Sequence, residues 1–255
     1  MRMRKWLYVS NNVMLKRVNS KMSGWLLLLI MACSLPATAS VVAERTRVIF
    51  SEGNTEESLQ LVNSKSYPVA VQVWVDDGDL AATPEKSISP VLVLPPLFRL
   101  QPQAQRSLRL ILSGASKLPV DRESAFWLNV YEIPPKATPK TEDESLVTLA
   151  LRMQYKVFYR PKSLQAPGDT LGKALTFTLE TKGDTALIRV DNPTPYYASL
   201  ASLTLGSTES LPDMVAPFSK LDFPLNRLAP AGSKTVNFVL IDDLGNRKEF
   251  SKNLK

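Results

Sequence analysis

Of the 255 residues, 31 are Lys or Arg, 24 are Asp or Glu, one is cysteine and none is histidine. That cysteine, Cys33, sits in an N-terminal segment with the pattern of a secretory signal, so the exported chain has neither Cys nor His. This excludes a disulfide framework, a Cys/His metal site, a Ser-His-Asp triad and a cysteine nucleophile. The same segment carries six of the seven net positive charges: without its six basic side chains, 25 Lys plus Arg face 24 Asp plus Glu, so charge is no argument for nucleic-acid binding.

The chain opens with Arg2, Arg4, Lys5, Lys16, Arg17 and Lys21 and no acid before Trp25, then an apolar run from Trp25 to Cys33, then Ala37-Thr38-Ala39. These are the basic region, apolar core and small-residue cleavage site of a signal peptide, expected to span residues 1–39. The apolar run is about half of the roughly 18 residues that a membrane span needs, so no membrane anchor is expected. Ile30-Met31-Ala32-Cys33 faintly resembles a lipoprotein cleavage box, but Met at its third position and the Ala-x-Ala downstream favour simple export. A start at Met14 in place of Met1 would shorten the signal to 26 residues, an ordinary length.

About 216 residues follow, enough for one large or two ordinary domains. Short alternating segments separated by turn residues recur throughout, with no long helical period. Thr46 to Phe50, Ser58 to Val62, Val69 to Val75, Val91 to Leu94, Arg106 to Leu112 and Ala125 to Ile133 read as strands. Pro95-Pro96 and Pro134-Pro135 read as turn or edge devices, and their X-Pro bonds are where a cis peptide would occur.

The stretch Leu146 to Pro161, LVTLALRMQYKVFYRP, stands out. Its odd positions are Val147, Leu149, Leu151, Met153, Tyr155, Val157 and Tyr159, while Thr148, Arg152, Gln154, Lys156 and Arg160 occupy even ones. Alternation of this kind predicts a strand from Leu146 to Tyr159, roughly 45 Å long at about 3.3 Å per residue, against an ordinary length of about 5 to 6 residues. Such a strand overhangs its sheet or serves two purposes. Alternation alone favours burying all seven apolar positions in the protein's own core. With this strand the first part has seven, the count of an immunoglobulin-like sandwich.

Arg160 to Gly168, with two prolines and a glycine, breaks the alternation and reads as a linker. Beyond it Ala174 to Leu179, Ala186 to Val190, Ala198 to Leu205, Lys220 to Pro224, Thr235 to Ile241 and Arg247 to Phe250 predict a second, smaller β-domain. Prolines 193, 195, 212, 217, 224 and 230 are expected at its edges and turns, where no ladder donor is lost. The expectation is an all-β protein: signal 1–39, first domain 40–161, second domain 162–255.

Taken in order, Glu44 to Phe50, Leu94 to Leu100 (LPPLFRL), Leu118 to Asn129 (LPVDRESAFWLN), Ile133-Pro134-Pro135, Lys156 to Pro161 (KVFYRP) and Asn192 to Tyr197 (NPTPYY) together resemble the periplasmic pilus-assembly chaperones, the PapD-like family. The resemblance spans essentially the whole exported chain. It implies two immunoglobulin-like β-sandwich domains in an L-shaped arrangement with a cleft between them, no catalytic activity and no cofactor. Its implied partners are pilin or fimbrial subunits and an outer-membrane usher. A pilin lacks the last strand of its own sandwich, and the chaperone lends one in its place, a known case of strand addition.

By this resemblance Val147, Leu149 and Leu151 form the donor strand inserted into the subunit, while Tyr155 to Tyr159 packs internally. Arg47 and Lys156 match the two cations that grip the subunit's C-terminal carboxylate, although nothing in the sequence brings them together. Glu123, Arg160 and Asp243 match an interdomain salt-bridge network. The ten-residue loop Lys136 to Ser145 has the short length that goes with rod-like pili, and its Glu142-Asp143-Glu144 reads as solvated. The chain departs from the pattern in lacking the second-domain disulfide of some relatives, and in placing Tyr155 where an aliphatic residue is usual. The usher-facing surface is not assigned. An uncovered apolar edge would favour self-association when no subunit is bound.

Two other readings compete: an exported two-sandwich binding or adhesive module, even a fimbrial subunit, and a secreted hydrolase using an Asp121/Glu123 carboxylate pair. The complete first domain with its own long final strand argues against a subunit. Residues two apart on a strand merely share a face, which is thin support for a hydrolase.

Overall fold

The computed structural model describes residues 41–255 except 52, 136–148, 183–184, 212 and 228–231. The signal segment 1–39, the loop Lys136 to Ser145 and the donor residue Val147 therefore lie outside the described residues.

The first sandwich contains β1 (Val41–Ala43), β2 (Arg47–Ser51), β3 (Glu56–Asn63), β4 (Val69–Asp76), β5 (Val91–Leu94), β6 (Leu97–Leu100), β7 (Gln105–Leu112), β8 (Ser124–Ile133) and β9 (Leu151–Arg160). One sheet has the order β1-β3-β7-β5 and the other β2-β9-β8-β4-β6. Alternation decides which side chains fill the space between them. Leu59 and Leu61 of β3, Leu108 and Leu110 of β7, Leu128 and Val130 of β8 and Val157 of β9 are all buried, and each such aliphatic side chain contributes about 1.5–3 kcal/mol. Two strands escape the sequence pattern: β1, whose three residues are too few to show a period, and β6, which directly follows the Pro95-Pro96 turn.

The second sandwich contains β10 (Thr176–Lys182), β11 (Thr185–Asn192), β12 (Ala198–Leu205), β13 (Thr208–Ser210), β14 (Met214–Val215), β15 (Ser219–Pro224), β16 (Thr235–Ile241) and β17 (Arg247–Asn253), preceded by a single helical turn, Thr170–Ala174. Its sheets run β10-β11-β15 and β13-β12-β16-β17, with β14 also paired to β12. Phe177, Phe223, Phe238, Ile188 and Leu203 centre a core separate from the first. Phe177 and Phe238 meet at 4.7 Å between ring centroids, and Phe238 stacks on Phe250 at 5.4 Å. These aromatics hold a domain that has no disulfide.

The same polar device ends a strand in each sandwich. Asn63 is fully buried; its amide donates to the carbonyls of Tyr67, Leu100 and Gln101, and its Oδ1 accepts from Lys65 N. Asn192, also fully buried, donates to the carbonyls of Tyr196, Val215 and Ala216 and accepts from Thr194 N. Each asparagine satisfies carbonyls that a turn would otherwise leave buried and unpaired, at about 1–3 kcal/mol apiece. The Leu94–Pro95 bond is cis.

The final strand of the first sandwich is shorter than its alternation suggests. It begins at Leu151, and Leu149 and Ala150 have no strand assignment. Its neighbour is the reason: β8 ends at Ile133, the ladder closes at Glu132↔Leu151, and Pro134-Pro135 follows with no amide donors to continue it. The strict odd/even reading also misses Phe158, an even position that is 4% exposed and lies 5.7 Å from the Tyr197 ring of the second sandwich.

Candidate functional site

β2 and β9 run parallel and pair from Arg47↔Lys156 to Ser51↔Arg160. Two cations 109 positions apart thus emerge side by side at the first rung of a parallel ladder. Val48, Phe50, Val157 and Tyr159 point into the core, so Arg47 and Lys156 lie on the opposite face. There both reach the second sandwich: Arg47 Nη1 donates to the Ile241 carbonyl at 2.9 Å and Lys156 Nζ to Ser199 Oγ at 3.3 Å. Arg47 is 7% exposed, and its buried Nε has no hydrogen-bond partner among the described residues.

Burial pushes the Arg47 guanidinium below its ordinary pKa, opposed by Asp243, Asp242 and Glu123. Burial also lowers Lys156, helped by the like charge of Arg47 and opposed by Asp213. Two partly dry cations with donors to spare are unfavourable until an anion joins them. Lys156→Met should therefore stabilise the free protein by about 1 kcal/mol at neutral pH. Because the folded pKa of Lys156 lies below its ordinary value of 10.5, the wild-type cost is present at neutral pH and fades as pH rises from the folded value towards 10.5. Urea midpoints of the two proteins check this; a lower midpoint for Lys156→Met at neutral pH contradicts it.

At the other end of the same ladder stands Arg160, 7% exposed. Its Nε donates to Glu123 Oε1 at 2.7 Å, and Nη1 and Nη2 donate to the two carboxylate oxygens of Asp243 at 2.7 and 2.9 Å. Glu123 immediately precedes β8 and Asp243 lies in the β16–β17 turn. Glu123 Oε2 accepts from Tyr197 N at 2.8 Å, the Glu123 amide donates to the Pro195 carbonyl, and the Tyr196 ring lies 5.7 Å below the Arg160 guanidinium. Burial pushes the Glu123 carboxyl up against the pull of Arg160. Burial lowers Arg160 too, but its bonds to Asp243 and the charges of Glu123 and Asp243 outweigh that and raise it. A cavity of about 170 Å³ lies beside these groups, with Arg47, Phe158, Tyr197 and Leu240 among its lining.

Leu149 is 72% exposed and Leu151 46%. Leu151 through Tyr155 pair with β8 on one edge. On the other edge the pairing with β2 begins only at Lys156, so among the described residues 151–155 present unpaired backbone groups. Tyr155 adapts to its unusual position: its ring packs on the core and its hydroxyl accepts from Ala43 N at 3.3 Å. Asp121 and Glu123 go separate ways, Asp121 to Arg122 at 2.8 Å on the surface and Glu123 inward to Arg160.

Sequence reasoning missed Ser199, Tyr197 and Ile241, which complete this face, and a buried polar cluster of Asp76, Asn129 and Arg152. The repeated aromatic at 196 and 197 and the apolar even position Phe158 were the available signals for the first group. Asp76 closing the mostly apolar run of β4 and Asn129 between Leu128 and Val130 of β8 were the signal for the second.

Residues 40–165 match the family described as "Pili and flagellar-assembly chaperone, PapD N-terminal domain", and residues 170–252 match "Pili assembly chaperone PapD, C-terminal domain". The chain is 39% identical over 216 residues to the chaperone protein FimB/FhaD of Bordetella pertussis, covering 82% of this chain and 86% of the relative. It is 37% identical over 221 residues to the probable fimbrial chaperone YadV of Escherichia coli, covering 84% and 90%. The crystal structure of the YadV chaperone superposes with a TM-score of 0.70 at 32% identity, covering 85% of this chain and all of that one. A complex of the Salmonella enterica SafA pilin with the SafB chaperone gives a TM-score of 0.69 at 31% identity, covering 84% and 96%. With both halves matched in order over nearly the whole described chain, this protein belongs to the PapD-like family of pilus-assembly chaperones.

Proposed function

We propose that this protein is a periplasmic chaperone that captures pilin-type subunits by lending them the open half of β9, and passes them to an outer-membrane usher. The observation that carries the reading is where β2 begins, at Arg47 opposite Lys156. A chain whose C-terminal carboxylate is held by Arg47 and Lys156, and which runs back past Tyr155 to Leu151, lies parallel to β9 and in line with β2. It completes the free edge, and Leu149 and Leu151, already exposed, would enter the subunit's groove together with Val147. Main-chain pairing makes this tolerant of subunit sequence. The two cations set its register, since a slip of one residue would turn every side chain to the wrong face.

The ion pairs of Arg160 with Glu123 and Asp243 would hold the sandwiches of 40–161 and 162–255 in the orientation that keeps Ile241 and Ser199 beside the cations. No catalytic step or cofactor enters this mechanism, and without a subunit the same edge is open to a second copy of the chain. The SafA–SafB complex, a pilin held by a chaperone of similar fold, supports the reading. Among the described residues no helix is long and apolar enough to cross a membrane.

Arg47→Ala removes one of two charge-assisted contacts worth about 1.5–3 kcal/mol each, so recovery of a pilin-type subunit with the tagged chaperone from periplasmic extract should fall by at least about tenfold. The variant should remain folded, since among the described residues the Arg47 side chain makes a single hydrogen bond. Undiminished recovery would remove the anchoring role.

A further inference from the structure

The half of β9 with one open edge, Leu151 to Tyr155, lacks the support that the rest of the strand enjoys. It has a ladder on one side only, and its core-facing Met153 and Tyr155 are only partly buried. An apolar half-strand of this kind would fray unless something gripped its other face. That face carries Arg152 and Gln154.

Both are tied down by the polar cluster left unassigned above. Asp76, 1% exposed at the end of β4, accepts from Trp74 Nε1 at 3.1 Å, Asn129 Nδ2 at 2.7 Å and Arg152 Nη2 at 3.2 Å through Oδ2, and from Gly78 N at 2.9 Å through Oδ1. Asn129 of β8, fully buried, turns its Oδ1 to Arg152 Nε at 2.8 Å and Gln154 Nε2 at 2.9 Å. The Arg152 guanidinium lies 4.8 Å from the centroid of the Trp74 ring, and its Nη1 donates to the Leu80 carbonyl at 2.7 Å. Gly78, at φ +99°, makes the turn that brings this loop over the cluster; a Cβ there would stand 2.9 Å from the Trp127 ring.

We propose that Arg152 is a positioning residue for the lent strand: through Asp76, Asn129 and the Leu80 carbonyl it holds Leu151 to Tyr155 extended and in register before any subunit arrives. The planar fork suits the task. Nε and Nη2 address two buried acceptors on two neighbouring strands while Nη1 closes the loop from above, a set of directions that an ammonium does not reproduce. The inference rests on the strand-lending reading for its purpose, but its physical content concerns the free protein alone.

Amide hydrogen exchange on the whole mature protein without any subunit therefore tests it. Arg152→Gln should speed exchange of the β8-bonded amides in residues 151–155 by about tenfold or more, while residues 156–160 and the second sandwich keep wild-type protection. Arg152→Lys, which leaves a cation beside Asp76, should fall between the two, and it carries the comparison if Arg152→Gln does not fold. If exchange rises only in residues 77–82 and that of 151–155 stays at the wild-type rate, Arg152 merely fastens the loop and the proposal is overturned. Subunit recovery plays no part in this outcome, so a failure here and a failure of the chaperone reading remain distinct.

Discussion

Arg160→Ala should cost about 3–5 kcal/mol of stability, more than any other single change at this face. The cost comes from what is left behind, not from the ion pairs themselves. Glu123 is 4% exposed and would remain in place with only Tyr197 N as donor, while Asp243 would lose both of its guanidinium bonds. Exposed ion pairs such as Arg109 with Glu56 contribute about 0–1 kcal/mol and provide the contrast. Arg160 also joins the two sandwiches, so its loss should split a single unfolding transition into two, read by urea denaturation with fluorescence and circular dichroism. A double variant, Arg160→Leu with Glu123→Gln, should recover part of the loss, because the buried Glu123 charge is then gone and only the partly exposed Asp243 lacks its partner. An Arg160→Ala midpoint within error of wild type would show that the network contributes nothing.

Leu149→Asp with Leu151→Asp should have the opposite profile, with nearly unchanged stability and abolished subunit capture. Both side chains are exposed in the free protein, and exposed substitutions usually change stability by no more than about 0.5 kcal/mol. In a complex each leucine would contribute about 1.5–3 kcal/mol of burial, and each aspartate would instead carry an unpaired charge into an apolar groove. Losing both exceeds the roughly 4 kcal/mol that separates a tight complex from one about a thousandfold weaker. Capture from periplasmic extract and a denaturation curve, made on the same preparation, read both halves. Retained capture would assign the lent contact elsewhere.

The two profiles follow from a division within one strand. Lys156 to Tyr159 has neighbours on both edges and Val157 and Tyr159 in the core, so it belongs to the fold. Leu151 to Tyr155 has one neighbour and exposed or half-buried side chains. Alternation shows both halves as one strand, because a period of two records which residues share a face and is blind to whether an edge is occupied. The strand was therefore legible, but its start was not. That depends on Pro134-Pro135 ending the neighbouring strand, a fact about a partner segment and not about the stretch itself.

Longer strands such as β4, β12 and β16 were legible almost to the residue. β1, β13 and β14 were not, since two or three residues display no period. The site was legible only through family resemblance. Arg47 and Lys156 acquire meaning from the parallel register of the first sandwich, a non-local pairing that no local pattern announces. Asp76, Asn129 and Arg152 lie in three separate strands for the same reason. Their identities broke the apolar pattern, yet where they meet is a property of the sheet.

The central claim is that this chain keeps pilin-type subunits from being lost before assembly. Its most direct test compares the periplasmic proteome of cells with and without the gene. The account predicts that one or more pilin-type subunits fall to a small fraction of their normal level when the gene is deleted, and return when it is restored. Unchanged levels of every such protein in the deleted strain would contradict it.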